Sequence, residues 1–327
     1  EPARDFAPSA GRLALRRWPP ADAGLRIDAG VAEGETVGVH YDPLIAKVIA
    51  HGGDRDEALQ RLRAALDRTC IAGVRTNVEL LRALLARPEV AAGGVDTQFL
   101  TRSAPTLLAA AAPVSDEALA AAIMAVLLDR AEAARQAGAG AAHPWSPWQR
   151  TDGWRLHGGA RETIVLHDRD AAYAIAVRAA GRNGHRLGLP GGSAEVRAAR
   201  DGAEMELHLG GRRVTATVVR DGAELVVFLP GRCHRLRLDD PREAADGEVA
   251  VPGTLTAPIP GVVSAVLVKE GAPVRRGEPL LVIEAMKMEH PIRSPADGTV
   301  EAVRVAVGQQ VQDGAELARV RTADGGT

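Results

Sequence analysis

A repeat with a period of 37 residues constrains the fold more than any other feature of this sequence. Valines alternate between glycine and proline turns in each copy, a pattern typical of strands. The paired members of the two copies, offset without an insertion, are Pro258/Pro295, Gly261/Gly298, Val263/Val300, Val266/Val303, Val268/Val305, Gly271/Gly308, Val274/Val311, Gly277/Gly314 and Leu280/Leu317. Because one copy of roughly 30 residues cannot bury a sheet face alone, we expect residues 258–322 to form a flattened β-barrel with two-fold quasi-symmetry.

The segment Glu284-Ala285-Met286-Lys287-Met288 joins the two copies. The repeat relates position 287 to positions 250 and 324, so Lys287 is predicted at the tip opposite both ends of the barrel. Tight hairpins favour Asn-Gly or Asp-Gly, whereas Met286 and Lys287 would each cost on the order of 1 kcal/mol at positive φ. Such a local violation is typical of a functional site. Lys287 is one of three lysines, which indicates that its amine is needed.

This motif, placed between two valine- and glycine-rich halves, resembles that of biotin carboxyl carrier domains. The resemblance implies an amide bond between the Lys287 amine and the carboxyl group of biotin, formed by a biotin protein ligase. Ala285, Met286 and Met288 complete the implied attachment site. Lipoyl domains share the fold, but their lysine usually lies beside Asp, so the two methionines favour biotin. The alternative is a surface lysine between two structural methionines.

Residues 1–103 predict a mixed α/β region in which two helices cover the edge of a sheet. The segment Leu25-Arg26-Ile27-Asp28 alternates as a half-buried strand. An acidic segment, residues 54–57, begins one helix. A second helix begins near Asn77 and ends before Pro88.

The same region resembles the last third of a biotin carboxylase domain, an α/β C-terminal lobe. The resemblance implies that Arg26 contacts the ureido oxygen of biotin, where a fixed guanidinium would stabilise developing negative charge. The residues alone leave open a solvated arginine paired with Asp28. The segments that carry the resemblance are Phe6-Ala7-Pro8-Ser9, Arg26-Ile27-Asp28, Tyr41-Asp42-Pro43-Leu44-Ile45-Ala46-Lys47, Gly73-Val74-Arg75-Thr76-Asn77 and Val95-Asp96-Thr97.

Residues that would bind ATP and Mg²⁺ or Mn²⁺ are expected only in a full-length protein. The sequence contains no glycine-rich phosphate loop and no Glu/Asn set suited to holding the metal on ATP. It opens at Glu1-Pro2-Ala3, and we expect it to be the C-terminal portion of a longer chain.

Residues 104–240 are predicted to form a domain with a barrel around a helix. A linker at residues 101–114 is predicted at the start of this domain. The helix begins after Ser115 and is apolar nearly all round as far as Leu128, so we expect it to be buried on every side. An antiparallel meander of seven or eight strands follows. The strand-like runs are residues 161–167, 172–178, 193–199, 205–209, 214–219, 225–229 and 233–238.

The order of these regions resembles that of acyl-CoA carboxylase alpha subunits, a multidomain α+β class. The tryptophan-containing residues 145–148 and 152–155 favour the 3-methylcrotonyl-CoA branch. The resemblance implies a hetero-oligomer in which a carboxyltransferase beta subunit, docked on the barrel, takes the carboxyl group from carboxybiotin on Lys287 and passes it to the acyl-CoA. Residues 241–257 would be the linker of the carrier. Acetyl-, propionyl-, geranyl- and urea-carboxylase subunits, a non-catalytic scaffold and a lipoyl carrier are the alternatives.

Composition excludes several other classes of protein. A net charge of −2 argues against nucleic acid or an anionic membrane as a partner, and no apolar run reaches the ~20 residues of a membrane span. Cys70 and Cys233 fall in different predicted domains, so no disulfide is implied. The histidines lack metal-ligand spacing. Arginine and alanine usage points to a bacterial cytoplasm, with the mitochondrial matrix as the alternative.

Overall fold

The computed structural model describes residues 1–2, 6–20, 22–109, 113–139, 161–180, 184–239 and 253–322. The N-terminal region contains three separate antiparallel strand pairs rather than one sheet edge. The pairs are β1 (Gly11–Arg12) with β4 (Thr36–Val37), β2 (Leu15–Arg17) with β6 (Cys70–Ala72), and β3 (Leu25–Ala29) with β5 (Ala46–Ala50). The strands are only two to five residues long because glycine, proline and turn residues interrupt the extended segments.

Four helices complete this region: α1 (Arg55–Asp67), α2 (Val78–Leu85), α3 (Pro88–Ala91) and α4 (Phe99–Ala109). As predicted, an acidic segment begins α1, where the Asp54 carboxylate accepts a hydrogen bond from the Glu57 N–H at 2.8 Å. Asn77 occupies the N-cap position of α2, but its side chain makes no capping hydrogen bond.

The linker predicted for residues 101–114 is wrong over its first part, which belongs to α4. The helix packs against α2 and buries Leu107. Pro105 lies inside α4, although proline removes a backbone donor there and normally disfavours a helix interior. Burial of the apolar face of α4 therefore outweighs the tendency of Pro105 to interrupt a helix.

The central region is a closed, eight-stranded antiparallel barrel, which confirms the predicted meander. The N-terminal part of one helix, α5 (Asp116–Ala139), lies inside it, where residues 118–126 are at most 2% exposed. The strands are β7 (Arg161–Asp168), β8 (Ala171–Ala179), β9 (Gly184–Leu189), β10 (Gly192–Asp201), β11 (Glu204–Leu209), β12 (Arg212–Asp221), β13 (Glu224–Leu229) and β14 (Arg232–Leu238). Residues 145–148 and 152–155 lie outside the described part of the chain.

The C-terminal region contains two four-stranded sheets. The strands are β15 (Thr254–Thr256), β16 (Gly261–Val266), β17 (Pro273–Val274), β18 (Pro279–Ala285), β19 (Met288–Arg293), β20 (Gly298–Val303), β21 (Gln310–Val311) and β22 (Glu316–Thr322). One sheet has the order β15-β22-β20-β17 and the other β19-β18-β16-β21.

The two sheets have the topology that the repeat predicts. A shift of 37 residues converts β16 into β20, β17 into β21 and β18 into β22, and it converts one sheet order into the other. The irregularity in strand register also recurs, between Val263 and Ala265 and again between Val300 and Ala302. The flattened, two-fold quasi-symmetric barrel is therefore confirmed. Positions 250 and 324, the predicted ends opposite Lys287, lie outside the described residues.

The segment predicted as a linker, residues 241–257, is described only from residue 253. Within this part β15 pairs with β22, and Ala257 is buried in the C-terminal core. The described end of the segment therefore belongs to the barrel, because its backbone completes a sheet. The rest of the predicted linker lies outside the described residues.

Candidate functional site

Lys287 lies in the two-residue turn that joins β18 to β19. Ala285 pairs with Met288, and Met286 and Lys287 form the corners with φ values of 49° and 61°. Two consecutive positive φ values are those of a type I′ hairpin turn, in which glycine or asparagine is usual. The structure thus confirms the predicted backbone violation at Met286 and Lys287.

The side chains of the motif point into different environments. Ala285 and Met286 are buried, at 4% and 3% exposed, whereas Met288 is 39% exposed. The Lys287 side chain is 71% exposed, and its Nζ lies 3.0 Å from Oδ1 of Asp42. The amine is therefore open to solvent on one side and paired with a carboxylate on the other.

Met286 packs into a set of apolar side chains from the N-terminal region, which we call the apolar socket. The socket consists of Leu13, Val37, Ile71 and Val74. The Met286 N–H also donates a hydrogen bond to the Val39 carbonyl at 2.9 Å. The hairpin tip thus contacts the N-terminal region through a side chain, a backbone donor and an ion pair.

The geometry of the tip fits a covalently attached cofactor. A primary amine can form an amide only if it is accessible, and the exposed Lys287 side chain meets this requirement. Backbone pairing between β18 and β19 continues up to Ala285 and Met288, which holds the turn on a rigid hairpin. A biotin or lipoyl group attached to Nζ would extend from this tip.

Arg26 lies on β3, on a different element from the turn. Its side chain is 71% exposed, and its Nε lies 3.2 Å from Oδ1 of Asp28. Lys47 of β5 stands opposite Asp28. Arg26 therefore has the environment expected from the alternative interpretation, that of a solvated arginine beside a carboxylate. The contact of Arg26 with a biotin oxygen stays a prediction.

Sequence reasoning missed the surface that receives the hairpin tip. Asp42 belongs to a segment whose pattern indicates only a resemblance to a carboxylase, and nothing in that pattern points to Lys287. Within the described ranges, no group of three or more His, Cys, Asp or Glu side chains could hold a metal ion. No helix of the described chain is long and apolar enough to cross a bilayer.

Three family profiles match successive parts of the chain. Residues 1–102 match the biotin carboxylase C-terminal domain. Residues 115–241 match the BT domain of the methylcrotonyl-CoA carboxylase alpha subunit. Residues 253–320 match the biotin/lipoyl family, described as biotin-requiring enzyme.

Curated relatives share this order over nearly the entire chain. A mitochondrial methylcrotonoyl-CoA carboxylase subunit alpha of Dictyostelium discoideum is 34% identical, covering 97% of this chain and 46% of the relative. Its counterpart in Arabidopsis thaliana is 31% identical, with 97% and 48% covered. The mitochondrial propionyl-CoA carboxylase alpha chain of Homo sapiens is 28% identical, with 96% and 44% covered. The chain therefore spans about half the length of the curated relatives it matches.

Solved structures with related sequences are also carboxylases. A single-chain, multi-domain long-chain acyl-CoA carboxylase covers 97% of this chain and 19% of its own, at 22% identity and a TM-score of 0.30. The biotin carboxylase subunit of a pyruvate carboxylase covers 32% of this chain and 23% of its own, at 34% identity and a TM-score of 0.31. In its three successive regions the chain is similar to biotin-dependent carboxylases, and over 97% of its length it is similar to methylcrotonoyl-CoA carboxylase alpha subunits.

Proposed function

We propose that residues 253–322 are a mobile carrier whose Lys287 holds biotin through an amide bond. The observation that carries the proposal is the exposed amine at a type I′ turn of a two-fold symmetric barrel. Biotin held there would accept a carboxyl group at an ATP-dependent carboxylase site and release it at a carboxyltransferase site.

The residues of the hairpin would have distinct tasks in this role. Lys287 supplies the amine, and the paired strands β18 and β19 keep it at the end of a rigid body. Met286 and Met288 provide apolar contact surface on either side of the attachment point. Methionine suits a tip that visits several partners, because its unbranched side chain adapts to irregular surfaces.

The proposed acyl substrate is 3-methylcrotonyl-CoA. Its support is the match of residues 115–241 to the methylcrotonyl-CoA carboxylase BT domain, together with the alpha-subunit relatives at up to 34% identity. In this proposal the barrel around α5 holds a separate carboxyltransferase beta subunit, which binds the acyl-CoA. ATP and its metal ion would be bound by parts of the full-length protein outside this chain. A bacterial cytoplasm remains our proposed location.

Biotin attachment can be tested on the three lysines of the chain, Lys47, Lys269 and Lys287. Co-expression with a biotin protein ligase should raise the intact mass by one biotin. The Lys287→Arg variant should abolish this increase because arginine keeps the charge but offers no amine for the amide. Lys269→Arg is the matched control on the same barrel and should be modified fully. A wild-type chain that stays unmodified would contradict the carrier role and favour the non-catalytic scaffold.

The substrate can be tested with the complex that the natural full-length subunit forms. The beta subunit that copurifies with it should, with ATP and bicarbonate, carboxylate 3-methylcrotonyl-CoA faster than propionyl-CoA or acetyl-CoA. Preferential turnover of propionyl-CoA or acetyl-CoA would overturn the assignment and leave the carrier role intact. Assembly without any carboxylation would support the scaffold.

A further inference from the structure

Contact between the hairpin tip and the N-terminal region is anchored by Met286. This side chain is 3% exposed, and every other member of its apolar cluster lies in the N-terminal region. Ala10, Trp18, Val31 and Ile45 pack around the same cluster. Met286 is therefore shielded from water by a surface outside its own barrel, as expected for a docked anchor residue.

A backbone hydrogen bond fixes the depth at which the tip enters. The first corner of the turn, Met286, donates its N–H to the Val39 carbonyl at 2.9 Å. Both contacts are independent of the chemical state of Lys287. They would hold a modified and an unmodified tip alike.

The ion pair between Lys287 and Asp42 does depend on that state. Nζ lies 3.0 Å from Oδ1 of Asp42, at side-chain exposures of 71% and 67%. Conversion of the amine to an amide removes the positive charge while leaving Met286 and its N–H unchanged. The pair is exposed, so its contribution is small, but it is the contact that distinguishes the two forms of the tip.

We propose that the apolar socket and Asp42 form a docking site for the hairpin tip that prefers the unmodified lysine, so that acylation of Nζ releases the carrier. The identity of the acyl group as biotin rests on the proposed function. The preference for a charged tip over a neutral one does not, because it follows from the Lys287–Asp42 pair.

Amide hydrogen exchange of the full chain tests the preference directly. Exchange at Met286, read from peptides covering residues 284–289, reports release of its hydrogen bond to Val39. In Lys287→Gln, a neutral side chain ending in an amide, exchange should be about two- to fivefold faster than in the wild type, as expected for the loss of an exposed ion pair. Lys287→Arg keeps the charge and should exchange like the wild type.

Variants of the partner residue separate charge from other effects. Asp42→Asn should accelerate exchange as Lys287→Gln does, and the double variant Asp42→Lys with Lys287→Asp should restore the slow rate. Asp56→Asn changes an exposed carboxylate in the first turn of α1 and serves as the control with no effect. Met286→Ala should release the tip more strongly than any charge change because it removes the anchor.

Enzymatic biotinylation of the wild-type chain completes the experiment. A modified sample should show faster exchange at Met286 than an unmodified one. If the mass does not increase, the proposed function is wrong, but the charge variants still test whether the docking site prefers a charged tip. If Lys287→Gln and Lys287→Arg exchange equally, or the double variant fails to restore protection, the docking preference is overturned even though biotin is attached.

Discussion

At the scale of single residues, the turn at Met286 and Lys287 retains two side chains that its backbone disfavours. Glycine would adopt φ values of 49° and 61° without strain, but it could neither fill the apolar socket nor offer an amine. The cost, on the order of 1 kcal/mol per residue, is local and was therefore visible in the sequence. The contact between Lys287 and Asp42 was not visible in the sequence, because residues so far apart in the chain leave no periodic signal.

A buried histidine should make the stability of the barrel depend on pH. His234 of β14 is 8% exposed, its Nε2 has no hydrogen-bond partner, and burial lowers its pKa, opposed by Asp168 and aided by Arg232. The unfolded chain binds a proton near the ordinary pKa of about 6.5, whereas the folded chain resists it. Stability is therefore complete above that pH and falls as the pH drops below it.

Thermal unfolding between pH 7.5 and 5.5 measures this effect. The wild-type midpoint should fall on acidification, and His234→Gln should reduce the slope whatever it does to the midpoint at pH 7.5. His185 is half-buried, and desolvation also lowers its pKa, so part of the slope should remain. An unchanged slope in His234→Gln would contradict the assignment.

At the scale of elements, alanine explains how α5 fits inside the barrel. An eight-stranded barrel is just wide enough for side chains to fill, so an internal helix must be slender. The small residues are Ala118, Ala120, Ala121, Ala122 and Ala125, all at most 1% exposed. The sequence predicted this helix correctly because apolar residues surround it on every side.

Among the elements that the sequence pattern missed, β9 and α4 have local signals that oppose their tertiary environment. Glycines at 184 and 188 and a proline at 190 hid β9, yet its backbone pairs with β8 on one side and β10 on the other. Pro105 likewise hid α4. In both cases neighbouring elements outweigh propensity.

Overpacking the helix tests the interpretation of the alanine residues. Ala121→Leu should destabilise the barrel by about 1–3 kcal/mol because the side chain has no space. Ala133→Leu changes the same helix at an exposed position and should have little effect. Chemical unfolding followed by circular dichroism measures the free energy of unfolding of both variants. Equal values would show that the barrel leaves space around α5 at residue 121.

At the scale of the whole molecule, the N-terminal region packs against the central barrel. Leu15, Cys70 and Ala72 share a buried cluster with Val226 and Phe228, and Cys233 packs against it. Ion pairs of 2.7 Å join Arg17 to Glu204 and Arg75 to Glu224 at the same junction. The sequence patterns indicated the separate regions but not the contact between them, because the strands that meet at this junction have an ordinary alternating pattern. Cys70 and Cys233, expected in separate domains, thus lie at one junction as free thiols.

These two thiols, the only ones in the chain, report on the junction. Burial raises both pKa values, that of Cys233 to about 12, so little thiolate is present at neutral pH. Phe228→Ala should weaken the junction, since loss of a buried phenylalanine costs about 3–5 kcal/mol, and should accelerate labelling by a disulfide reagent.

Leu15→Ala removes a contact of the junction on the N-terminal side without altering the barrel. It should also accelerate labelling of the thiols. Leu267→Ala, at an exposed site of the C-terminal barrel, should leave the rate unchanged. Labelling that accelerates in Phe228→Ala but not in Leu15→Ala would locate the effect inside the central barrel. It would mean that the N-terminal region does not shield the thiols, because removal of its own contact would leave their accessibility unaltered.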